Sequence, residues 1–454
     1  MHIKRKLALL AGDLIVIILC TCLSFMARMF TFQNVFSAYT GAITAFVLCY
    51  LANFYIFELY GLHGSFRSAH YLSRYILGLL GAASVIAIFF YIFPDWKTGR
   101  GVFLMNALLV SVFAYGWRLL FEAVFGPDKN RKGIVIIGAG NAGRAVYQVL
   151  SENRNGFRIE GFIDDNPGML NRKIGAHSVI GASSVLAGLA RRNGIGAAVM
   201  AIKRNRDPEL LKAVIESKMS GMEIYDMPSI YEELTGRIPV RYLTENWIAL
   251  TTFHGVRKKA YTTKIKRLMD FVLALSGLVL SLPVALVVAI AVKLDSKGPV
   301  LFRQKRVGLN GKVYELYKFR SMRTDAEANG AVWAKKDDPR VTRAGRVIRK
   351  IRADEIPQMW NVLKGDMSFI GPRPERPEFV DILNEEIPYY SLRHSIKPGI
   401  TGWAQVNYRY GASNEDALEK LQYDLFYIKN LSPFLDLLIL LRTVRVVLFT
   451  NGAR

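Results

Sequence analysis

Cysteine is nearly absent from this chain: Cys20, Cys22 and Cys49 are its three thiols, each inside an apolar stretch of a 454-residue sequence. That excludes a disulfide framework and a cysteine-rich zinc site, and it suits folded parts facing a reducing compartment. No His-x-x-x-His pair, no P-loop and no Ser/His/Asp set in recognisable context occurs either, which removes three large classes of hydrolase and NTPase. Acid is scarce relative to base. Thirty-seven Asp+Glu stand against sixty Lys+Arg, a net charge of +23, and such a balance calls for an anionic partner: nucleic acid, membrane headgroups or phosphorylated substrates. Apolar residues, at 51%, are plentiful; they exclude intrinsic disorder, and the length suits about three domains.

The apolar residues are bunched. Runs at Leu7–Ala27, Ala38–Phe57, Tyr75–Phe93 and Val102–Phe125 each approach or exceed the ~20 residues that a helix needs to cross the hydrocarbon core. Residues 1–126 therefore read as four transmembrane helices. A signal peptide competes for the first run, behind Lys4-Arg5-Lys6, but no small-residue cleavage site follows it and three more spans do. Asp13 lies inside that run; an ionisable group there invites a functional reading, while its place near the basic end favours headgroup level. With a cytoplasmic amino terminus, the inside carries Lys4, Arg5, Lys6, Arg67, Arg74, Lys129, Arg131 and Lys132, against Arg28, Lys97 and Arg100 outside. That asymmetry returns the chain to the cytosol at the turn-forming linker Gly126-Pro127-Asp128-Lys129.

From Gly133 the period changes. Short apolar runs at Gly133–Ile137, Ile159–Ile163, Ala197–Ile202 and Met222–Met227 alternate with helical segments, which predicts an α/β domain over 133–254. Its first turn, Gly138-Ala-Gly140-Asn-Ala-Gly143, has Asp164 twenty-one residues beyond the last glycine. This is the dinucleotide fingerprint of a Rossmann-like domain, in which glycines let a pyrophosphate approach a helix N-terminus. The alternative is a doubly wound fold that keeps its tight turn without a cofactor, and no hydride-transfer site is evident downstream.

A fifth apolar run, Leu268–Leu294, has cations at both ends and Asp270 just inside. Pro283, in Ser281-Leu282-Pro283, removes the bond to the Val279 carbonyl and predicts a kink. A full crossing would export residues 264–454, with 31 Lys+Arg against 20 Asp+Glu, against the positive-inside tendency. A hairpin entering and leaving on the cytoplasmic face resolves that conflict; a kinked fifth span is the alternative.

Beyond it the chain is cation-rich. Val341–Arg352 reads as an amphipathic helix, Arg343, Arg346, Arg349, Lys350 and Arg352 on one side and Val347, Ile348 and Ile351 on the other, suited to an anionic membrane surface or to packing on a domain core. Asp354-Glu355 then precedes Pro357, which is placed at or near the first position of a helix. The pair reads either as helix capping or as a phosphate-handling site in which Mg2+ offsets adjacent anions. Two glycine- and proline-punctuated loops, Gly365–Pro374 and Lys397–Val406, are plain turns or bring amides and an arginine to a diphosphate. The candidate chemistry left is a nucleophilic carboxylate.

Seven short motifs, in order, now carry a resemblance: Lys266-Arg267-x-x-Asp270, Ser281-x-Pro283, Gly298-Pro299-Val300-x-Phe302, Lys318-Phe319-Arg320-Ser321-Met322, Asp354-Glu355-x-Pro357-Gln358, Gly371-Pro372-Arg373-Pro374 and Pro398–Trp403. Over 262–454 the chain resembles the bacterial sugar transferases, the monotopic phosphoglycosyl transferases that move a sugar-1-phosphate onto a polyprenyl phosphate and begin exopolysaccharide or O-antigen assembly. Its layout is similar to their long form, such as undecaprenyl-phosphate glucose or galactose phosphotransferases. The resemblance implies an α-rich catalytic domain with a re-entrant membrane helix at 268–294, on the cytoplasmic face of the bacterial inner membrane. It implies Asp354 as the nucleophile on a UDP-sugar, with UMP released, Glu355 assisting, Mg2+ on Asp354, and Arg349, Arg373, Arg303 and Arg320 holding phosphates. The expected partners are the UDP-sugar, polyprenyl phosphate and the lipid bilayer, with no nucleic acid; a homo-oligomer is compatible. Many relatives read Gln-Val-Asn-Gly-Arg where this chain has Gln405-Val406-Asn407-Tyr408-Arg409-Tyr410. Two other classes stay open: a membrane glycosyltransferase releasing UDP, and a membrane-tethered nucleotide sensor built on Gly138, Gly140 and Gly143.

Overall fold

The computed structural model describes residues 2–29, 35–61, 65–94, 98–125, 131–152, 157–190, 195–202, 207–257, 260–326, 338–408, 411 and 413–449. The expected linker at 126–129 lies outside them, as do Lys97, Arg409 and Tyr410. The chain forms two compact units, residues 1–227 and 228–454.

The first unit opens with four helices, α1 His2–Met29, α2 Val35–Ile56, α3 Ala69–Ile92 and α4 Arg100–Phe125. With Tyr261–Asp295 they make five helices, among the described residues, long and apolar enough to cross a membrane. Helix α1 packs on α4 and α2, and α2 on α3. Asp13 is sealed between these helices. Both of its oxygens accept from Arg118 of α4, at 2.6 and 2.8 Å, and both residues are fully buried. Arg118 also donates to the Tyr71 hydroxyl at 2.8 Å and lies over the rings of Phe54 and Tyr75. An arginine fork satisfied on every side tolerates such enclosure where a lone carboxylate would not.

The same unit carries a six-stranded sheet. In chain order come β1 Lys132–Ile137, α5 Asn141–Glu152, β2 Phe157–Ile163, β3 Lys173–Ile174, β4 His177–Gly181, α6 Leu186–Ala190, β5 Ile195–Met200, α7 Pro208–Met219 and β6 Glu223–Asp226. The spatial order is β3-β4-β2-β1-β5-β6, parallel throughout except for β3 against β4. Ile134 to Ile137 and Ala197 to Val199 are buried without alternation, as strands covered on both faces require.

The second unit begins within α8 Met227–Thr235, at Pro228, and continues with α9 Glu245–Leu250. Residues up to 254 read from sequence as part of the α/β domain, yet Ile238, Val240 and Leu243 share one core with Ile370, Leu421, Leu425 and Ile428. The Ile238 amide donates to the Gln422 carbonyl, and that of Gly255 to Ile428. Next come α10 Lys266–Asp295, the hairpin β7 Leu301–Val307 and β8 Val313–Phe319, α11 Arg343–Lys350, α12 Gln358–Lys364, β9 Ser368–Ile370, α13 Pro377–Glu386, β10 Gly399–Thr401, α14 Trp403–Asn407, α15 Asn414–Asn430 and α16 Pro433–Phe449.

Helix α10 is helical throughout, so Pro283 does not interrupt it. The Ser281 hydroxyl donates back to the Leu278 carbonyl one turn before the proline. Its buried positions are Lys266, Asp270 and Ala274 near one end and Val288 and Val292 near the other; between them Val279, Leu280, Leu282, Leu286 and Val287 are exposed. The first end is held by polar groups: Lys266 donates to Asp436 at 2.8 Å, Arg267 to the carbonyls of Val362 and Leu363, and Asp270 accepts from Ser368 and the Phe369 amide at 2.9 Å. The second end packs with Phe319, Ile348 and Ala353. Both ends thus seat on one folded unit, while apolar side chains along the helix, from Leu268 and Val272 to Ile290 and Leu294, are left exposed.

Candidate active site

Thr342 caps α11, its hydroxyl accepting from the Gly345 amide at 3.0 Å. The helix ends at Lys350, and Arg352 takes the left-handed conformation, φ 55° and ψ 22°, which costs a non-glycine residue roughly 1–2 kcal/mol. That reversal throws the chain into a single turn, Ala353–Glu355, with Pro357 capping α12. Asp354-Glu355 therefore sits one turn ahead of the helix, not within its first residues. Along α11 Gly345 and Ile348 face inward, whereas Val347 and, just past the helix end, Ile351 are exposed, as are Arg343, Arg346 and Lys350.

Asp354 is buried, and Glu355 beside it is fixed by arginines: Arg373 donates to its Oε1 at 2.8 Å and Arg352 stands 3.8 Å from Oε2. Burial, and then the charge of Glu355, raise the Asp354 carboxyl above the usual range, against the pull of Lys318, Arg349 and Arg373. For Glu355 burial is outweighed by Arg373, Lys318 and Arg352, which bring it down to about 2. The pair is therefore split: Glu355 is a permanent anion, and Asp354 is a carboxylate short of positive charge. Lys318 of β8 is brought down to about 8 by burial and by Arg373.

The expected phosphate ligands fare differently. Arg373 and Arg349 reach the pair, Arg349 steadied by a 3.1 Å bond to the Ser321 hydroxyl. Arg303 is exposed on β7 with its guanidinium over the Tyr317 ring. Arg320 is turned elsewhere: it is buried and donates to the carbonyl and hydroxyl of Ser296 at 2.7 and 2.9 Å. Through Nη2 it closes the C-terminal end of α10, where unpaired carbonyls draw a cation, while Nε and Nη1 have no hydrogen-bond partner among the described residues. Lys318, within the Lys318–Met322 motif, is a further cation beside the pair. Its signal was period two along β8, which puts it on the same face as buried Leu316.

The two glycine-rich loops are knitted to each other. Amides of Gly371 and Gly399 donate to the carbonyls of Thr401 and Pro372, and a methyl on Gly399 or Gly402 would lie 2.0 or 2.1 Å from the Gly371 backbone. These amides are spent within the protein; what the loops deliver is Arg373. In the α/β domain, Gly138 has φ +101°, and a methyl on Gly143 would fall 1.9 Å from the Gly138 carbonyl, whereas Gly140 faces open space. Asp164 accepts from the Ala139 amide at 2.8 Å and so braces the turn itself.

Residues 261–450 match the family model described as Bacterial sugar transferase. An undecaprenyl-phosphate glucose phosphotransferase of Komagataeibacter xylinus is 33% identical over 398 residues, covering 84% of this chain and 72% of that one. The chain belongs to the bacterial sugar transferase family. A UDP-glucose:undecaprenyl-phosphate glucose-1-phosphate transferase of Klebsiella pneumoniae is 32% identical over 375 residues, 78% of this chain and 77% of its own. A UDP-N-acetylgalactosamine-undecaprenyl-phosphate N-acetylgalactosaminephosphotransferase of Aeromonas hydrophila is 45% identical over 236 residues, 52% of this chain and 55% of its own length. This bacterial sugar transferase, with five helices among the described residues long and apolar enough to cross a membrane, is a membrane protein.

The sugar transferase's carboxylates suit one cation and not a protein-made cage. Among the described residues no three His, Cys, Asp or Glu side chains gather around a common point. A magnesium ion commonly takes one or two carboxylates and completes its shell with water and substrate phosphate, which fits a single buried Asp354 short of positive charge. The departure at Tyr408 also has a structural use. Its hydroxyl donates to Asp416 at 2.7 Å, the residue that boxes the start of α15 with Ser413.

Proposed function

We propose that this protein transfers a sugar-1-phosphate from a UDP-sugar to a polyprenyl phosphate, undecaprenyl phosphate in bacteria, releasing UMP. The names of its relatives support the reaction class; the observation that carries the mechanism is Asp354, a buried carboxylate beside a fixed anion and among Lys318, Arg349 and Arg373. An Asp354 oxygen attacks the β-phosphorus of the donor, the bond from that phosphorus to the bridging oxygen breaks, and UMP departs with the electron pair. A phosphosugar is left as an acyl phosphate on Asp354. An oxygen of polyprenyl phosphate then attacks the same phosphorus, frees the carboxylate and yields a polyprenyl diphosphosugar. Arg373 and Arg349 hold donor phosphates, and Glu355 keeps Arg373 aimed across the pair. Magnesium bound through Asp354 and the phosphates would supply charge neutralisation in the transition state.

In this reading residues 1–126 form a four-helix transmembrane bundle, followed by a Rossmann-like α/β domain. Residues 268–294 form a re-entrant wedge beneath a site on the cytoplasmic face of the inner membrane. Purified full-length protein given a panel of UDP-sugars and polyprenyl phosphate tests the reaction. Released UMP supports it, released UDP favours a glycosyltransferase that moves the sugar alone, and neither nucleotide with any donor defeats it.

Topology gives a separate prediction. Cys20 and Cys22 are buried and Cys49 is half-buried, so new thiols at Lys264→Cys and Lys297→Cys stand out in a Cys49→Ser background. A membrane-impermeant maleimide is expected to label both in inverted vesicles and neither in intact cells; labelling of Lys297→Cys from outside would make α10 a fifth span. Lys318 gives a pH prediction. It is a cation below about 8 and neutral above, so kcat/KM for the donor, which reports free-enzyme groups, falls as pH rises through that value. Lys318→Arg should flatten the alkaline limb; an unchanged limb would take Lys318 out of donor capture.

A further inference from the structure

The loop Gly371–Glu375 presents Arg373 to Glu355, yet its own backbone is held from behind by two other arginines. Arg393 donates to the Arg373 carbonyl at 2.9 Å, and Arg306 donates to the Pro374 carbonyl at 3.0 Å. Arg393 is only 4% exposed; it is paired at 2.8 Å with Asp424, itself 1% exposed, and also donates to the Tyr390 hydroxyl. Arg306 is tied to Gln304 at 2.6 Å and lies 3.5 Å from Glu375, whose carbonyl accepts from the Val307 amide. Among the described residues, Arg393, Asp424 and Arg306 make no hydrogen bond to Asp354 or Glu355.

We infer that Arg393, seconded by Arg306, is a positioning residue that sets the reach of Arg373 toward the donor's phosphates; this rests on the transfer reaction proposed above. A buried ion pair is a poor way to add stability, since a well-packed apolar pair commonly serves as well or better. What a guanidinium fork adds is direction. With Nη2 donating both to Asp424 and to the backbone carbonyl, and Nη1 to the Tyr390 hydroxyl, its planar donors fix that carbonyl in place. The Arg373 side chain leaves the same residue whose carbonyl is gripped, so a loosened grip is felt directly at its 2.8 Å bond to Glu355. A displacement of about 1 Å in such a group costs on the order of 100-fold in rate.

The test is a double-mutant cycle in the full-length protein in lipid nanodiscs, with kcat and KM for the UDP-sugar read from UMP release. Arg393→Gln is expected to lower kcat/KM on the order of 100-fold in the native background, but less than about threefold further when Arg373→Ala is already present. Arg393→Lys should restore part of the loss. Asp424→Asn, which keeps shape and leaves Arg393 in place, repeats the cycle if Arg393→Gln does not fold. Equal fold losses in both backgrounds, or no loss in either, would overturn the positioning role. Native protein that releases UMP while the cycle is multiplicative sinks this inference alone; native protein that releases no UMP sinks the transfer reaction and the inference with it.

Discussion

Asp354→Asn is expected to abolish UMP release, a loss on the order of 10⁴-fold or more, while the protein stays folded. The reason for the first half is chemical, because a neutral amide cannot attack phosphorus and return as a leaving carboxylate. The second half follows from the electrostatics. Burial and the charge of Glu355 both oppose ionisation of Asp354, so an uncharged isostere relieves a repulsion and the melting temperature should hold or rise. Intact-mass spectrometry of native protein given donor without acceptor should reveal a covalent phosphosugar, absent from the variant. Substantial turnover by Asp354→Asn, or an adduct that persists in it, would move the nucleophile to another residue.

Arg118→Leu is expected to destabilise the membrane helices by about 3–5 kcal/mol, a far larger effect than an exposed ion pair would give. Asp13 would be left fully buried without its counter-charge. The double variant Asp13→Leu/Arg118→Leu should recover most of that loss, because the cost lies in an unpaired charge and not in the absence of the pair. Unfolding in detergent, followed by protease resistance of α1 and α4, measures both. Single and double variants with equal losses would show that shape, not charge, governs the site.

Much of this was legible in the sequence because it is local. Four apolar runs gave four helices, the alternation from Gly133 gave a mostly parallel sheet, and Asp354-Glu355 before Pro357 gave a turn beside a helix start. What was not legible depends on partners remote in the chain. Asp13 meets Arg118 across 105 positions, and no periodicity reports that. The resemblance implies Arg320 as a phosphate ligand, and nothing local announces that its Nη2 also closes the end of α10 at Ser296. Arg393 gave no signal at all, since its work is done on a backbone carbonyl.

Residues 236–255 carry a practical consequence for anyone who would excise the catalytic part. The family-model match begins at Tyr261, but the transferase core draws on Ile238, Val240 and Leu243, and the Trp403 indole donates to the Gly236 carbonyl. A fragment cut at the homology border would start life with an open, greasy scar along α15, prone to clumping in any expression host. Cut at Pro228, the same fragment would bring its own bandage.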